Sequence, residues 1–136
     1  MEIDFASILT GHAALTNLVP ATRITPSQFV QGTAGPCLRY TKIDGITGLH
    51  MRGSDGLTSS LMQIDVRSIA AGGVMPLLAV RDVLVVLLHP FRGVVGGTDF
   101  RLIQLRSDRG IKFEKPGAEE FYTCSLDFDV WSKAAP

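Results

Sequence analysis

The chain has 136 residues, 46% hydrophobic and 19% charged, which suits one globular domain able to bury about 68% of the surface its unfolded form exposes. Thirteen basic and thirteen acidic side chains cancel, so no global field draws in nucleic acid or an anionic membrane. Residues 1–15 carry two acids and no basic segment ahead of an apolar core, which argues against a secretory signal, and the longest apolar run, 83–88, is far short of a membrane span. The expected compartment is therefore a reducing cytosol. There Cys37 and Cys124 read as thiols on strands, a disulfide between them being the alternative.

Ile3, Phe5, Ala6, Leu9, Ala13 and Ala14 approximate helical spacing behind the acids Glu2 and Asp4, which predicts a helix running to about Leu18, before Pro20. Residues 19–36 hold three prolines and two glycines and read as irregular chain, with a short extended piece around Arg23 and Ile24. The run 37–43 (CLRYTKI) predicts a strand. Segment 44–56 holds four glycines, with Asp-Gly pairs at both ends, so it reads as a flexible loop or as a hairpin extending beyond the sheet. Its isolated apolar residues Ile46, Leu49 and Met51 suit a surface that orders against a partner.

Residues 57–67 (LTSSLMQIDVR) give a second strand, with Met62, Ile64 and Val66 inward and Gln63, Asp65 and Arg67 outward. A helix follows over 74–88, its stripe made by Leu77, Val80, Leu84, Leu87 and Leu88, with Pro76 confined to the first turn. Residues 89–97 read as a turn. The strand 98–108 (TDFRLIQLRSD) shifts its apolar row midway, which suggests a bulge or burial on both sides. After a charged connection over 109–118, the run 121–131 (FYTCSLDFDVW) is the best-specified strand of all. Tyr122, Cys124, Leu126, Phe128 and Val130 share one side; Thr123, Ser125, Asp127 and Asp129 share the other.

The predicted fold is thus α+β in the order α-β-β-α-β-β: an antiparallel four-stranded sheet with two helices packed on one face, forming a single domain over 1–136. Catalysis finds little support. His12, His50 and His89 are scattered without metal-ligand spacing, and the GVVGG near Val94 lacks the lysine of a phosphate loop. Carboxylates in pairs can do acid–base work, yet Asp65, Asp127 and Asp129 read as a solvated or interface row. No catalytic, cofactor-binding or metal site is expected, and the chain does not read as an enzyme.

The segments PCLRYTKI, LMQIDVRS, GTDFRLIQLRSDRG and EEFYTCSLDFDVWSK, in this order and spacing, resemble the tail-completion or tail-terminator family of long-tailed bacteriophages, prophages and gene transfer agents. QIDVRS and SLDFDVW are the closest matches, and the glycine-rich 44–56 segment is a departure. The resemblance covers nearly the whole chain and implies a non-enzymatic virion protein, made in the bacterial cytoplasm and carried in the tail or neck. It implies a homo-oligomeric ring, typically of six copies, that caps the tail tube. Its implied partners are the major tail tube protein and the neck or head-completion proteins. DNA would pass through the ring without sequence-specific contact, and no cofactor or membrane is implied. A head-to-tail ring needs two complementary surfaces per subunit. Arg39, Asp65, Arg67, Asp127 and Asp129 are the candidates for charged contacts between neighbours. Leu49, Met51 and Arg52 are the candidates for contact with tube or neck. The competing classes are another neck or head-completion ring protein and a small cytosolic ligand-binding α+β domain.

Overall fold

The computed structural model describes residues 1–29, 35–50, 53–115 and 119–136, with 44–50 and 53–56 described by their backbone alone. Helices α1 (Glu2–Thr10) and α2 (Ala13–Thr16) lead through a 3₁₀ turn into β1 (Ile24–Pro26), β2 (Cys37–His50) and β3 (Gly53–Ile69). A second 3₁₀ turn precedes α3 (Met75–Leu88), then β4 (Phe91–Val95), β5 (Thr98–Glu114) and β6 (Phe121–Ala134). Among the described residues the strands form one six-stranded sheet in the order β1-β2-β3-β6-β5-β4. β1 is parallel to β2, and the other neighbours are antiparallel.

The predicted four-stranded antiparallel sheet under two helices is corrected by this arrangement, which is a mixed sheet curled into a half-barrel with three helices. β1 has only three residues, too few for a period of two to show, and its edge place tolerates Pro26, which lacks an N–H. β4 reads FRGVV, a short run beside glycines, and takes its structure from pairing with β5. The single N-terminal helix divides at Gly11, and His12 is extended there. The half-barrel follows from contact: α1 touches both edge strands, β1 and β4, so the sheet wraps round it.

Alternation sets the core. Met62, Ile64 and Val66 of β3 and Cys124, Leu126, Phe128 and Val130 of β6 point to the helices and are buried. They meet Phe5 and Leu9 of α1, Leu15 of α2, and Leu77, Val80, Leu84 and Leu88 of α3. The shift in the apolar row of β5 corresponds to register slips between Phe100 and Leu102, Leu105 and Ser107, and Asp108 and Ile111. His89, just past α3, covers this stretch by accepting the Leu105 N–H at Nδ1, at 2.9 Å. Within the 44–56 segment, residues 44–50 pair with 53–61 as a ribbon, from Asp44↔Leu61 out to His50↔Gly53.

Candidate functional site

The face of the sheet turned away from the helices carries most of the charged residues singled out in the sequence. Antiparallel register places Arg39, Asp65 and Ser125 in one row across β2, β3 and β6. The next row holds Thr41, Gln63, Asp127 and Ser107, and Asp129 lies beyond it, opposite Leu61 and Gln104.

Asp65 is the centre. It is 2% exposed and gathers Arg39 Nε at 2.7 Å, Gln63 Nε2 at 2.9 Å and Ser125 Oγ at 2.5 Å, all donating to its carboxylate. Burial alone would raise its pKa. The hydrogen bonds from Ser125, Gln63 and Arg39, with the charge of Arg39, outweigh that effect and hold the carboxyl below its ordinary value. Asp127 accepts from Ser107 Oγ at 2.9 Å and Arg109 Nη2 at 2.8 Å, while Asp129 lies 3.5 Å from Arg106 Nη1.

These pairs share a polarity. The carboxylate side chains of Asp65, Asp127 and Asp129 are 3%, 17% and 25% exposed, whereas Arg39, Arg109 and Arg106 are 36%, 42% and 60% exposed. The acids are sunk against the sheet and the guanidiniums form its outer skin. Arg106 and Arg109 were not legible as members of this face, because the slips in β5 hide which of its residues stand opposite Asp127 and Asp129.

Arg67 is held differently. Its guanidinium stacks on Phe121 at 4.5 Å and on Phe29 at 4.6 Å, and Arg39 lies 4.6 Å from the same Phe29 ring. Phe29 comes from beyond β1, where the chain turns through Ser27, at φ 63°, and Gln28 N–H donates to the Pro26 carbonyl. Arg67 also reaches within 3.8 Å of Glu114. Its buried Nε and the Thr123 hydroxyl, on residues directly opposite each other, have no hydrogen-bond partner among the described residues. Phe29 gave no sequence signal, since it sits in an irregular stretch.

Of the remaining candidates, Leu49 is described by its backbone, opposite Ser54, and Met51 and Arg52 lie outside the described residues. Among the described residues no three His, Cys, Asp or Glu side chains gather as a metal site, and no helix is long and apolar enough to cross a membrane. The arrangement offers an ordered charged surface with arginines outermost. Its chemistry suits recognition.

No family model and no curated protein sequence matches the chain. Among solved structures, a chain from the "virion of native gene transfer agent (GTA) particle" superposes with a TM-score of 0.71 at 16% identity, covering 93% of this chain and 90% of that one. A second solved chain, bearing no functional name, superposes with a TM-score of 0.54 at 16% identity over 96% of this chain and 95% of that one. At such identities the likeness is one of fold.

Proposed function

We propose that this chain is a structural virion protein of a long-tailed phage-like or gene-transfer-agent particle, capping the tail tube as a ring and joining the tail to the neck. The observation that carries the reading is the superposition on a chain of a gene transfer agent virion over nine-tenths or more of both lengths, at a TM-score of 0.71. The strand and helix segments that resemble the tail-terminator family lend it independent support.

In this reading the ring is built head to tail, typically from six copies, and the outer sheet face supplies one of the two surfaces each subunit needs. Arg39, Arg106 and Arg109 meet the neighbour, while Asp65, Asp127 and Asp129 fix where those guanidiniums stand. Arg67 is set between its two aromatic rings. Such charges select partner and register more than they add affinity. Leu49, near the end of β2, and Met51 and Arg52, which follow it in sequence, contact the tail tube protein or the neck, and DNA passes through the ring without being read.

The test is electron microscopy of particles from an in-frame deletion of the gene. Tails of uncontrolled length, detached from filled heads, are expected. Normal tails on normal particles would overturn the reading, and normal-length free tails would move the role to a neck or head-completion ring. Replacing Leu49 and Met51 together by Ser tests the ribbon: the monomer stays folded and tail joining is lost, whereas retained joining removes the ribbon from the contact.

A further inference from the structure

Helix α3 is apolar on nearly every side. Its sequence, MPLLAVRDVLVVLL, includes two charged residues, Arg81 and Asp82. Leu77, Val80, Leu84 and Leu88 enter the core, whereas Met75, Ala79, Asp82 and Val86 follow one another at helical spacing along a second stripe. Met75 is 70% exposed and Val86 80%, so large apolar side chains stand in water where a surface helix carries polar ones. At 14 residues the helix is shorter than the roughly 20 that a bilayer crossing needs. The outward stripe offers an acid and no lysine, unlike a helix made to lie on anionic lipid. The cover it calls for is protein.

The opposite side of the sheet has what such a stripe would meet. Trp131, 38% exposed, shares the outer face with Asp127 and Asp129 by alternation. It stands opposite Ser59 and Leu102, with Leu61 in the next row opposite Asp129. Arg106 reaches over that aspartate. A tryptophan beside leucines, with arginine at the border, has the composition of an interface centre. The charges match as well. Asp82, with a side chain 71% exposed, is the charged member of the α3 stripe, and Arg81 beside it is shared between Asp82 at 3.5 Å and Asp108 at 3.6 Å. The outer face presents guanidiniums whose acids are sunk beneath them. So do the spacings. Asp82 and Val86 are about 6 Å apart along the helix, and Asp129 and Trp131 about 7 Å apart along the strand.

We propose that the outward stripe of α3 seats on the outer sheet face of a second copy of this chain, with Val86 against Trp131 and Asp82 against Arg106. The proposal rests on the ring reading in taking the arginine-covered face as a subunit surface, and it names the surface that meets it. The two surfaces lie on opposite sides of the sheet. Each joined pair therefore leaves one of each free, and further copies add as a head-to-tail ring requires.

Analytical ultracentrifugation of the full chain is expected to show oligomers larger than a dimer that dissociate on dilution. Val86→Arg and Trp131→Ala each weaken the association about tenfold or more while circular dichroism stays that of the folded chain. Arg106→Glu, which leaves the tryptophan in place, acts in the same direction. An equimolar mixture of Val86→Arg and Trp131→Ala forms a discrete dimer where each alone is monomeric, because one intact helix meets one intact sheet face. Asp82→Asn reduces the salt dependence of the association. A chain monomeric at every concentration, or full association in Val86→Arg or Trp131→Ala, would overturn the proposal. So would a mixture that stays monomeric, or an unchanged salt dependence in Asp82→Asn. Loss of tail joining in Val86→Arg with the natural chain monomeric would assign the stripe to another virion protein, which also overturns it. Normal tails on deletion particles would end the ring reading and leave a measured contact between copies standing. Uncontrolled tails with a monomeric chain would do the reverse.

Discussion

Asp65 shows how a residue readable as a surface charge becomes a structural one. Alternation places it on the polar face, and the two strands that flank it surround its carboxylate with Arg39 and Ser125. Asp65→Ala leaves those donors unpaired beside the sheet, and urea unfolding is expected to show a loss of about 2–4 kcal/mol. The sign of the pH dependence follows from its lowered pKa. A carboxyl held lower in the folded state than in the unfolded one stabilises the fold fully above its unfolded pKa, near 4, and that stability is lost as pH falls through the folded value. Urea midpoints measured from neutral pH downward should fall in this window, and Asp65→Asn should flatten the fall. Cys124 is the second case. Burial, followed by the charge of Asp108, pushes its thiol up to about 11. At about pH 8 the native protein is expected to leave Cys124 unalkylated by iodoacetamide, with labelling appearing on unfolding, as read by mass spectrometry.

At the scale of elements, the turn between β4 and β5 depends on α1. Gly96 has φ +57°, and a Cβ built there would lie 2.2 Å from Asp4 Oδ1. Asp4 cannot withdraw without breaking its bond to Thr98. Gly96→Ala therefore combines left-handed backbone strain with a close contact and is expected to lower stability by about 1–3 kcal/mol. Adding Asp4→Ala should restore the contact part and leave the backbone part, a coupling that a double-mutant cycle measures. Helix α3 and strands β3 and β6 were legible because each carries its full period in sequence: buried Leu77, Val80, Leu84 and Leu88 on one stripe, alternating buried residues on the strands. β1 and β4 were not. Their three and five residues are held in the sheet by neighbours from elsewhere in the chain.

For the whole molecule, the separation of faces is what bears on the proposed assembly. The helices fill one side of the curled sheet, and the paired acids and arginines occupy the other. Arg106→Glu with Arg109→Glu tests the outer skin. Each pair joins an exposed guanidinium to a largely buried carboxylate, and reversal sets like charges side by side, so thermal unfolding should come somewhat earlier while the monomer still folds. On the proposed assembly role, tail joining in complemented particles should fail, as counted by electron microscopy. Joining at the normal level would remove this face from the neighbour contact.

Composition and periodicity alone determined the charge balance, the longest helix, the inward rows of β3 and β6, and the outward placing of Arg39, Asp65, Arg67, Asp127 and Asp129. Each of those is a property of neighbouring positions in one segment. Tertiary structure alone decided the order of the six described strands, the curl round α1, the partners Arg106 and Arg109 for the acids, and the stacking of Arg67 between Phe29 and Phe121. These are pairings between segments far apart in the chain, set by bulges, turns and a helix that meets both edges of the sheet. No local period encodes them.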